Sequence, residues 1–146
     1  MECPSITVLI PCYTGSKYID RLFNSLTRQA IDDLHIIVVD ACSEDNSVEL
    51  LEKWKTKFPN LKIIQHKVNK GIAATRNDLI ANVETEYFFF IDIDDALPKK
   101  ALYFLSKPII EKNTTYDVII GKTMVRFYNR YNRVTFYFQL VTSSNF

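Results

Sequence analysis

The most informative stretch of the sequence is EYFFFIDIDD, at residues 86–95. An unbroken apolar run of strand length that leads directly into carboxylates is typical of a strand buried on both faces, ending at a polar edge. Three similar runs rich in β-branched residues precede it, at residues 6–10 (ITVLI), 35–39 (HIIVV) and 61–65 (LKIIQ). The pattern therefore predicts four buried strands.

Segments with helical spacing of apolar residues separate these strands. Residues 17–30 carry apolar side chains at i, i+3, i+4 and i+7, a second helix is predicted around Trp54, and Gly71 opens a third. A fourth helix is predicted over residues 99–105, and we expect Pro108 to interrupt it. The alternation predicts an α/β fold: a mostly parallel, Rossmann-like sheet with helices on both faces.

The last part of the chain is predicted to add strands. Residues 117–120 (DVII) predict a fifth strand, and residues 125–128 with 134–138 predict a C-terminal β-hairpin. We expect residues 1–146 to form a single domain, since this is a common size for one hydrophobic core.

Composition excludes several classes of function. The 18 basic and 17 acidic residues leave a formal net charge of +1, so no charge excess draws the chain to nucleic acid. The apolar runs are all strand-sized, so no membrane span is predicted. Three cysteines without C-x-x-C spacing fit a reducing compartment. We expect a cytoplasmic protein, or one at the inner face of the membrane.

Only three glycines occur in the sequence. Neither G-x-G-x-x-G nor G-x-x-x-x-G-K-[ST] is present, so a nucleotide would have to be held without a glycine-rich phosphate loop.

Carboxylates follow two of the predicted strands. Asp40 ends the second strand, and Asp92, Asp94 and Asp95 follow the fourth. The carboxyl ends of parallel strands share one edge of a sheet, where such folds bind ligands. Crowded carboxylates recruit a cation, and Mg²⁺ or Mn²⁺ suits oxygen ligands completed by phosphates. A lone D-x-D also fits a solvated acidic loop, but the third acid and Asp40 favour a functional site.

Five ordered motifs make residues 6–96 resemble the nucleotide-binding half of a family 2 glycosyltransferase with the GT-A fold. The matching motifs are TVLIPCY (7–13), KYI (17–19), IIVVDACSED (36–45), GIAATRN (71–77) and EYFFFIDIDD (86–95).

The resemblance implies which residues hold the nucleotide. Pro11 and Tyr13 would line the pocket for the base. Asp40 would hydrogen-bond the base or the ribose, and Arg76 would lie near the diphosphate. The resemblance thus predicts a nucleotide-sugar donor, with UDP as the favoured nucleotide.

The acidic motif carries the remaining implied roles. Asp92 and Asp94 would bracket the sugar-nucleotide, and Asp94 with Asp95 would hold the ribose and a divalent Mn²⁺ or Mg²⁺ ion. Such an ion stabilises the charge that builds on the departing diphosphate. The expected reaction is inverting transfer of a hexosyl or N-acetylhexosaminyl group to a saccharide, lipid or protein acceptor.

Three of the positions at which the chain departs from the family pattern lie in or directly after the first and third of these motifs. Thr14 stands where the family often has Asn, and Ala41 and Cys42 stand where it usually has a second Asp and a Gly. None of these departures removes the metal site, whereas the missing acid at position 41 affects recognition of the base.

No candidate for the general base is found. After Asp117 the sequence has no Asp or Glu, and in the family this carboxylate lies beyond the metal motif. We therefore expect the base beyond residue 146, in a longer enzyme of which this chain is the N-terminal part. The alternative is a natural short chain that binds donor without efficient transfer.

Two further alternatives remain open. A haloacid-dehalogenase-like phosphatase also carries D-x-D after an apolar strand, with the first acid, here Asp92, as nucleophile, although on its opening strand. Separately, Arg126, Arg130 and Arg133 alternate with aromatic residues and would suit peripheral contact with a membrane or a lipid acceptor. A solvated hairpin face explains the same alternation, and we favour it.

Other residues with reactive side chains are expected to be structural. Cys12 and Cys42 are predicted to be small, inert thiols, and Trp54 is predicted to pack in the core. His35 and His66 are predicted at the surface or at strand edges.

Overall fold

The computed structural model describes residues 4–112, 115–124 and 135–142 of the chain. Within them the strands are β1 (Ile6–Cys12), β2 (Leu34–Asp40), β3 (Leu61–Gln65), β4 (Tyr87–Phe90), β5 (Val118–Met124) and β6 (Thr135–Thr142). The helices are α1 (Ser16–Leu26), α2 (Ser47–Trp54), α3 (Ile72–Ile80) and α4 (Ala101–Lys112).

The strands form one sheet in the order β3-β2-β1-β4-β6-β5. The first four are parallel, whereas β6 runs antiparallel to both β4 and β5. The predicted mostly parallel sheet is confirmed. Parallel pairing brings the carboxyl ends of β1 to β4 to one edge, with Cys12 opposite Asp40 in the register.

Helices cover both faces of the sheet, as predicted. Ile6, Val8 and Ile10 of β1 pack in a core with α1, α2 and α4. The residue between two of them, Leu9, packs in a second core with Leu79 of α3. Successive side chains of a strand point to opposite faces, so each strand of this sheet serves two cores.

Trp54 lies in the first of these cores. Its ring lies 5.4 Å from that of Phe23 and 6.2 Å from that of Phe58, measured between centroids. Its Nε1–H donates to Asp20 Oδ1 over 2.9 Å. The predicted core position is confirmed, and the indole nitrogen is satisfied at the rim of the core.

The predicted break at Pro108 is wrong. Helix α4 continues through Pro108 to Lys112. Proline lacks the N–H that would bond the preceding turn, which costs about 3 kcal/mol in a helix interior. The buried side of α4 includes Leu102 before the proline and Ile109 after it, and packing along this whole side stabilises the continuous helix.

The C-terminal strands differ from the prediction in their bounds. The fifth strand extends to Met124 and pairs with β6. The predicted hairpin falls mainly on residues 125–134, which lie outside the described residues, as do Arg126, Arg130 and Arg133. In the described part of the chain, every helix is too short or too polar to span a bilayer.

Candidate functional site

A cavity of about 310 Å³ lies at the carboxyl edge of the sheet, beside α3. It is the meeting point of the ends of three strands and the first turn of a helix. The described residues that line it are Pro11, Cys12, Tyr13, Ala41, Asn69, Gly71, Ile72, Thr75, Asp92 and Ile93. Three residues predicted for the nucleotide site, Pro11, Tyr13 and Asp92, are therefore brought together.

Strand alternation explains why these residues face the cavity. Leu9, Val39 and Phe88 belong to the core on the α3 face of the sheet. Pro11 and Ala41 each come two residues after a member of that core, so they point to the same face. The cavity is the continuation of the α3-side core beyond the ends of the strands.

Two exposed apolar side chains border the cavity. Tyr13 is 54% exposed and Ile72 is 57% exposed, although both are large and apolar. Tyr13 directly follows β1, and Ile72 is the first residue of α3. A planar ring is the kind of ligand that such apolar surfaces bind.

Asp40 lies apart from the lining of this cavity. It is 2% exposed, and its carboxylate accepts hydrogen bonds from the Ser43 backbone N–H over 3.0 Å and from the Ser43 hydroxyl. Its neighbour Ala41 lines the cavity instead. This placement does not favour the predicted contact of Asp40 with the base. Asp40 instead supports the loop after β2 through its hydrogen bonds with Ser43.

The loop after Asp40 supplies the cap of α1. Gly15 at the N-cap has no side chain to accept hydrogen bonds. The backbone N–H of Thr14 donates to Ser43 Oγ over 2.8 Å, and that of Gly15 donates to Ser47 Oγ over 3.0 Å. The cap joins the β1–α1 loop, which carries Tyr13, to the β2–α2 loop.

Asp45 completes this cap. The Ser16 backbone N–H donates to its Oδ2 over 3.1 Å, and the hydroxyl and backbone N–H of Ser47 donate to its Oδ1. Partial burial acts to raise the pKa of Asp45, but the hydrogen bonds from Ser47 and Ser16 outweigh it and lower the pKa to about 2.

Two residues beside the cavity adopt a left-handed backbone conformation. Thr14 has φ 49° and Cys42 has φ 67°. Glycine and asparagine tolerate this region far better than threonine or cysteine. These are two of the positions at which the sequence departs from the Asn and Gly of the family pattern, so both departures place strained residues here.

Cys12 is a buried, inert thiol, as predicted. Burial, together with the nearby charge of Asp40, raises its pKa to about 12, so the nucleophilic thiolate is scarce at neutral pH. Cys42 is partly exposed, and its Sγ contacts Lys67 O at 3.6 Å.

Arg76 joins α3 to the end of β4. Its Nη2 lies 3.2 Å from Asp92 Oδ1, and its guanidinium lies over the Phe90 ring. Both partners of the ion pair are about half exposed, so they are accessible to a ligand. The structure therefore brings Arg76 into contact with the acidic motif, and its predicted position near the diphosphate stays a prediction.

The start of α3 depends on a glycine. Gly71 has φ 84°, which favours glycine, and its N–H donates to Asn69 Oδ1 over 2.8 Å. Thr75 closes the first turn by donating from its hydroxyl to Gly71 O. Sequence reasoning named neither Asn69 nor Thr75, although the polar residues around a helix-opening glycine were a signal for both.

The acidic motif forms a tight turn after β4. The Asp95 N–H donates to Asp92 O over 3.0 Å, and the Arg21 guanidinium donates to Asp94 O. Burial raises the pKa of Asp95, the negative charges of Asp94 and Asp92 raise it further, and Arg21 opposes them. Asp94 and Asp95 follow the cavity in sequence but are not among its described lining residues.

The residues of this turn fit a divalent cation. Among residues 4–112, 115–124 and 135–142, no three His, Cys, Asp or Glu side chains group closely enough to hold a metal alone. Asp94 and Asp95 nevertheless offer hard oxygen ligands that repel each other. Mg²⁺ and Mn²⁺ are commonly bound by one or two carboxylates with substrate phosphates completing the shell.

His66 is buried, so the surface position predicted as one alternative is wrong; it directly follows β3, an edge strand of the sheet. Its side chain is 4% exposed, and Nε2 lies 2.7 Å from Asp78 Oδ2 of α3. Its backbone N–H donates to Asp40 O over 2.8 Å. Asp78 of α3 thus reaches the residue that follows β3. His35 is partly exposed beside Asp33, as predicted.

Comparison with known proteins decides the family. The sequence matches the family described as "Glycosyl transferase family 2" over residues 7–143. The chain belongs to this family. The match covers nearly all of the chain, so it includes the cavity and the acidic turn as well as both antiparallel strands.

Curated relatives of the family are much longer than this chain. A processive diacylglycerol β-glycosyltransferase of Mycoplasma genitalium is 36% identical over 82% of the chain and 36% of its own length. The poly(ribitol-phosphate) β-N-acetylglucosaminyltransferase TarS of Staphylococcus aureus is 36% identical over 80% of the chain and 20% of its own length. The chain thus spans between about a fifth and about a third of these relatives.

Solved structures share the fold of this chain. S. aureus TarS in complex with UDP-GlcNAc has a TM-score of 0.77 at 33% identity, covering 86% of this chain and 36% of that one. A mannosyltransferase from Pyrobaculum calidifontis, in complex with GDP-Man and Mn²⁺, has a TM-score of 0.62 at 23% identity over 66% and 29%. The GT-A-like fold is therefore confirmed.

Proposed function

We propose that this chain is the donor-binding part of a metal-dependent, inverting glycosyltransferase that uses a UDP-sugar. The observation that carries the proposal is the cavity lined by Pro11, Tyr13 and Asp92, with Arg76 paired to Asp92 at its border. The UDP-GlcNAc bound by TarS, a family member of the same fold, supports the choice of donor.

Each part of the donor has a proposed partner in the chain. The base lies against the exposed ring of Tyr13, with Pro11 beneath it. Arg76 turns from Asp92 to the diphosphate, since a phosphate offers the guanidinium a stronger, bidentate partner than one carboxylate oxygen. Asp92 is then free to accept from a hydroxyl of the donor.

Asp94 and Asp95 are proposed to hold the divalent cation. When bound, the cation stabilises the negative charge that develops on the leaving diphosphate. Arg21 fixes the turn that carries both carboxylates through its contact with Asp94 O. The turn is thereby preorganised for the cation, and folding has already met the cost of bringing the two acids together.

The acceptor and the general base are proposed to lie outside residues 1–146. Asp117 carries the last carboxylate side chain in the sequence. It lies between α4 and β5 and is not among the described residues that line the cavity. A glycolipid or cell-envelope polysaccharide acceptor at the inner face of the membrane fits the relatives, one named for diacylglycerol and one for poly(ribitol-phosphate).

The phosphatase alternative has lost its support, because the chain belongs to a glycosyltransferase family and the D-x-D follows β4 rather than the first strand. The remaining alternative is a donor-binding module without transfer. Turnover of UDP-sugar with acceptor by the protein in its complete length distinguishes it from an enzyme.

Calorimetric titration of the chain with UDP tests the proposal. We expect binding in Mn²⁺ that is lost in chelator and in Asp95→Ala, and weakened in Asp40→Ala. Asp32→Ala, which removes an exposed carboxylate at the opposite end of β2, serves as the control and binds normally. Equal UDP affinity with and without chelator would contradict the metal assignment.

A further inference from the structure

Helix α1 lies beside the segment that carries the acidic turn. Residues 91–100 connect β4 to α4 and contain neither helix nor strand. Wherever such a segment is buried, its backbone N–H and C=O groups need hydrogen-bond partners. Several of these partners belong to α1 and to residues 27–29, which directly follow it.

The first part of the segment is held along the first two turns of α1. The Ile93 side chain packs on Gly15, where an added Cβ would lie 2.9 Å from Ile93 Cγ1. Further along the helix, the Arg21 guanidinium donates to Asp94 O. The partner of Arg21 in this hydrogen bond is a backbone carbonyl, so the bond fixes the path of the chain.

Two buried polar side chains hold the segment after the turn. The Leu97 N–H donates to Ser25 Oγ over 3.0 Å. The amide of Gln29 donates from Nε2 to Pro98 O over 3.0 Å, and its Oε1 accepts from the Leu102 N–H over 3.1 Å. Ser25 is fully buried and Gln29 is 1% exposed. Because the amide faces carbonyls on one side and an N–H on the other, its orientation is determined.

A buried amide at position 29 is informative, because an apolar side chain would fill the space at a lower desolvation cost. Hydrogen bonds satisfy the amide on both sides, including a second one from Nε2 to Ser25 O over 2.8 Å. Buried and fully satisfied networks rigidify the groups that they join and specify one arrangement of them. The arrangement specified here is that of the chain directly after the acidic turn.

Under the proposed function, on which this inference rests, Asp94 and Asp95 hold the divalent cation. We infer that Ser25 and Gln29 are, together with Arg21, positioning residues for this cation. They fix the chain before and after the two carboxylates through backbone groups, so α1 determines where the carboxylates lie relative to the cavity. Loss of a group that orients metal ligands typically lowers metal affinity about tenfold or more.

Titration of the chain with UDP and with uridine, both in Mn²⁺, tests this inference. In Gln29→Met, which keeps the length of the side chain, we expect the UDP affinity to fall about tenfold. The uridine affinity should stay within about twofold, because uridine has no phosphate that binds through the cation. A merely structural role would not change the ratio of the two affinities, since a loss of folded protein lowers both alike.

Thr7→Val is the matched control for loss of a buried hydrogen bond. Thr7 is 1% exposed, and its hydroxyl oxygen lies 2.6 Å from that of Thr85, at the amino end of β1. We expect this variant to lower the midpoint of thermal unfolding by several degrees, as Gln29→Met does. The ratio of UDP to uridine affinity should not change.

Arg21 is exposed, so its substitution carries little risk to folding. Arg21→Met should lower the UDP affinity without changing the uridine affinity. Arg21→Lys should restore most of the loss, because lysine also donates to a carbonyl such as Asp94 O. Removing a positive charge beside two carboxylates would by itself strengthen cation binding, so a fall in affinity reports the lost hydrogen bond rather than the lost charge.

The remaining outcomes separate the inference from the proposed function. An unchanged UDP-to-uridine ratio in Gln29→Met overturns the inference, and Mn²⁺-dependent binding of UDP by the unchanged chain then leaves the proposed function intact. If Gln29→Met does not fold, Ser25→Ala decides in its place, with an expected loss of UDP affinity of about threefold.

Two further results would also overturn the inference. A loss of UDP affinity confined to Arg21→Met would mean that Arg21 contacts the diphosphate itself. Equal UDP affinity of the unchanged chain with and without chelator would overturn the proposed metal site and this inference together.

Discussion

Ser43 satisfies both carboxylate oxygens of Asp40: its backbone N–H donates to Oδ2 over 3.0 Å and its hydroxyl donates to Oδ1. The same hydroxyl oxygen accepts from the Thr14 N–H over 2.8 Å. Through this one serine, a buried carboxylate at the end of β2 determines where the loop that carries Tyr13 lies. Asp40 therefore acts on the cavity indirectly.

Asp40→Asn and Ser43→Ala should have similar, non-additive effects. Each removes a charge-assisted hydrogen bond in a buried site, so we expect about 1–3 kcal/mol of destabilisation from either. The double variant should fall short of the sum by about 1 kcal/mol, because the two residues act as a unit. Urea unfolding measures the stabilities, and UDP titration should show comparable losses of affinity.

A direct contact between Asp40 and the base would give a different result. Asp40→Asn would then change the UDP-to-CDP ratio while Ser43→Ala left it unchanged. That outcome would contradict the supporting position assigned to Asp40.

Arg76→Gln should weaken diphosphate binding without unfolding the protein. The ion pair with Asp92 is about half exposed, and exposed pairs contribute at most about 1 kcal/mol. We expect little change in thermal unfolding, a loss of UDP affinity of about tenfold, and no change in uridine affinity. Lys62→Gln removes an exposed positive charge on β3 and serves as the control.

A parallel loss of uridine affinity would argue against the assigned role of Arg76. It would mean that Arg76 supports the cavity rather than the diphosphate.

The sequence predicts the sheet well because its strands are apolar on both faces. That same property hides which residue of β2 faces the cavity. Ile36 and Val38 serve one core while Ile37 and Val39 serve the other, so hydrophobic pattern alone does not separate Asp40 from Ala41. The position of α3 on one face of the sheet determines which of the two residues faces the cavity. That position follows from tertiary packing.

The position of α3 also explains other differences between the sequence prediction and the structure. His66 follows a short strand and would be exposed there, but α3 places Asp78 Oδ2 within 2.7 Å of its Nε2. The residues Asn69 and Thr75 gain their significance from the first turn of α3, whose position beside the cavity follows from packing rather than from local pattern. The acidic residues were found from sequence because they directly follow an apolar run.

Cys42→Gly should stabilise the protein. Cys42 has φ 67°, a region that costs about 1–2 kcal/mol for a residue with a Cβ. Part of the gain is lost because glycine makes the unfolded chain more flexible, so we expect about 1 kcal/mol, or about 3 °C in the midpoint of thermal unfolding. Cys42→Ala keeps the Cβ and should show no such gain.

Gly15→Ala should destabilise the cap of α1. A Cβ at position 15 would lie 2.9 Å from Ile93 Cγ1 and 3.2 Å from Cys12 Sγ. Overpacking of this kind costs about 1–3 kcal/mol. Ile93→Ala removes the closer atoms, so Gly15→Ala should cost less in that background. An equal cost in both backgrounds would show that the acidic turn does not pack on the α1 cap.

Asp45→Asn should lower stability at pH 7 and lose its effect in acid. The hydrogen bonds of the folded state lower the pKa of Asp45 from 3.8 to about 2, so the folded protein binds this proton less readily than the unfolded chain does. A depressed pKa contributes stability at pH values above the pKa of the unfolded chain, and this contribution is lost as the pH falls from about 4 to about 2.

The Asp45→Asn variant lacks this contribution at every pH, because the amide NH₂ group of asparagine faces the Ser16 or Ser47 N–H donors. Urea midpoints of the two proteins should therefore differ at pH 7 and converge as the pH falls to about 2. Asp32→Asn, which changes an exposed carboxylate, should show no convergence, and a constant difference for Asp45→Asn would place its effect in packing rather than in charge.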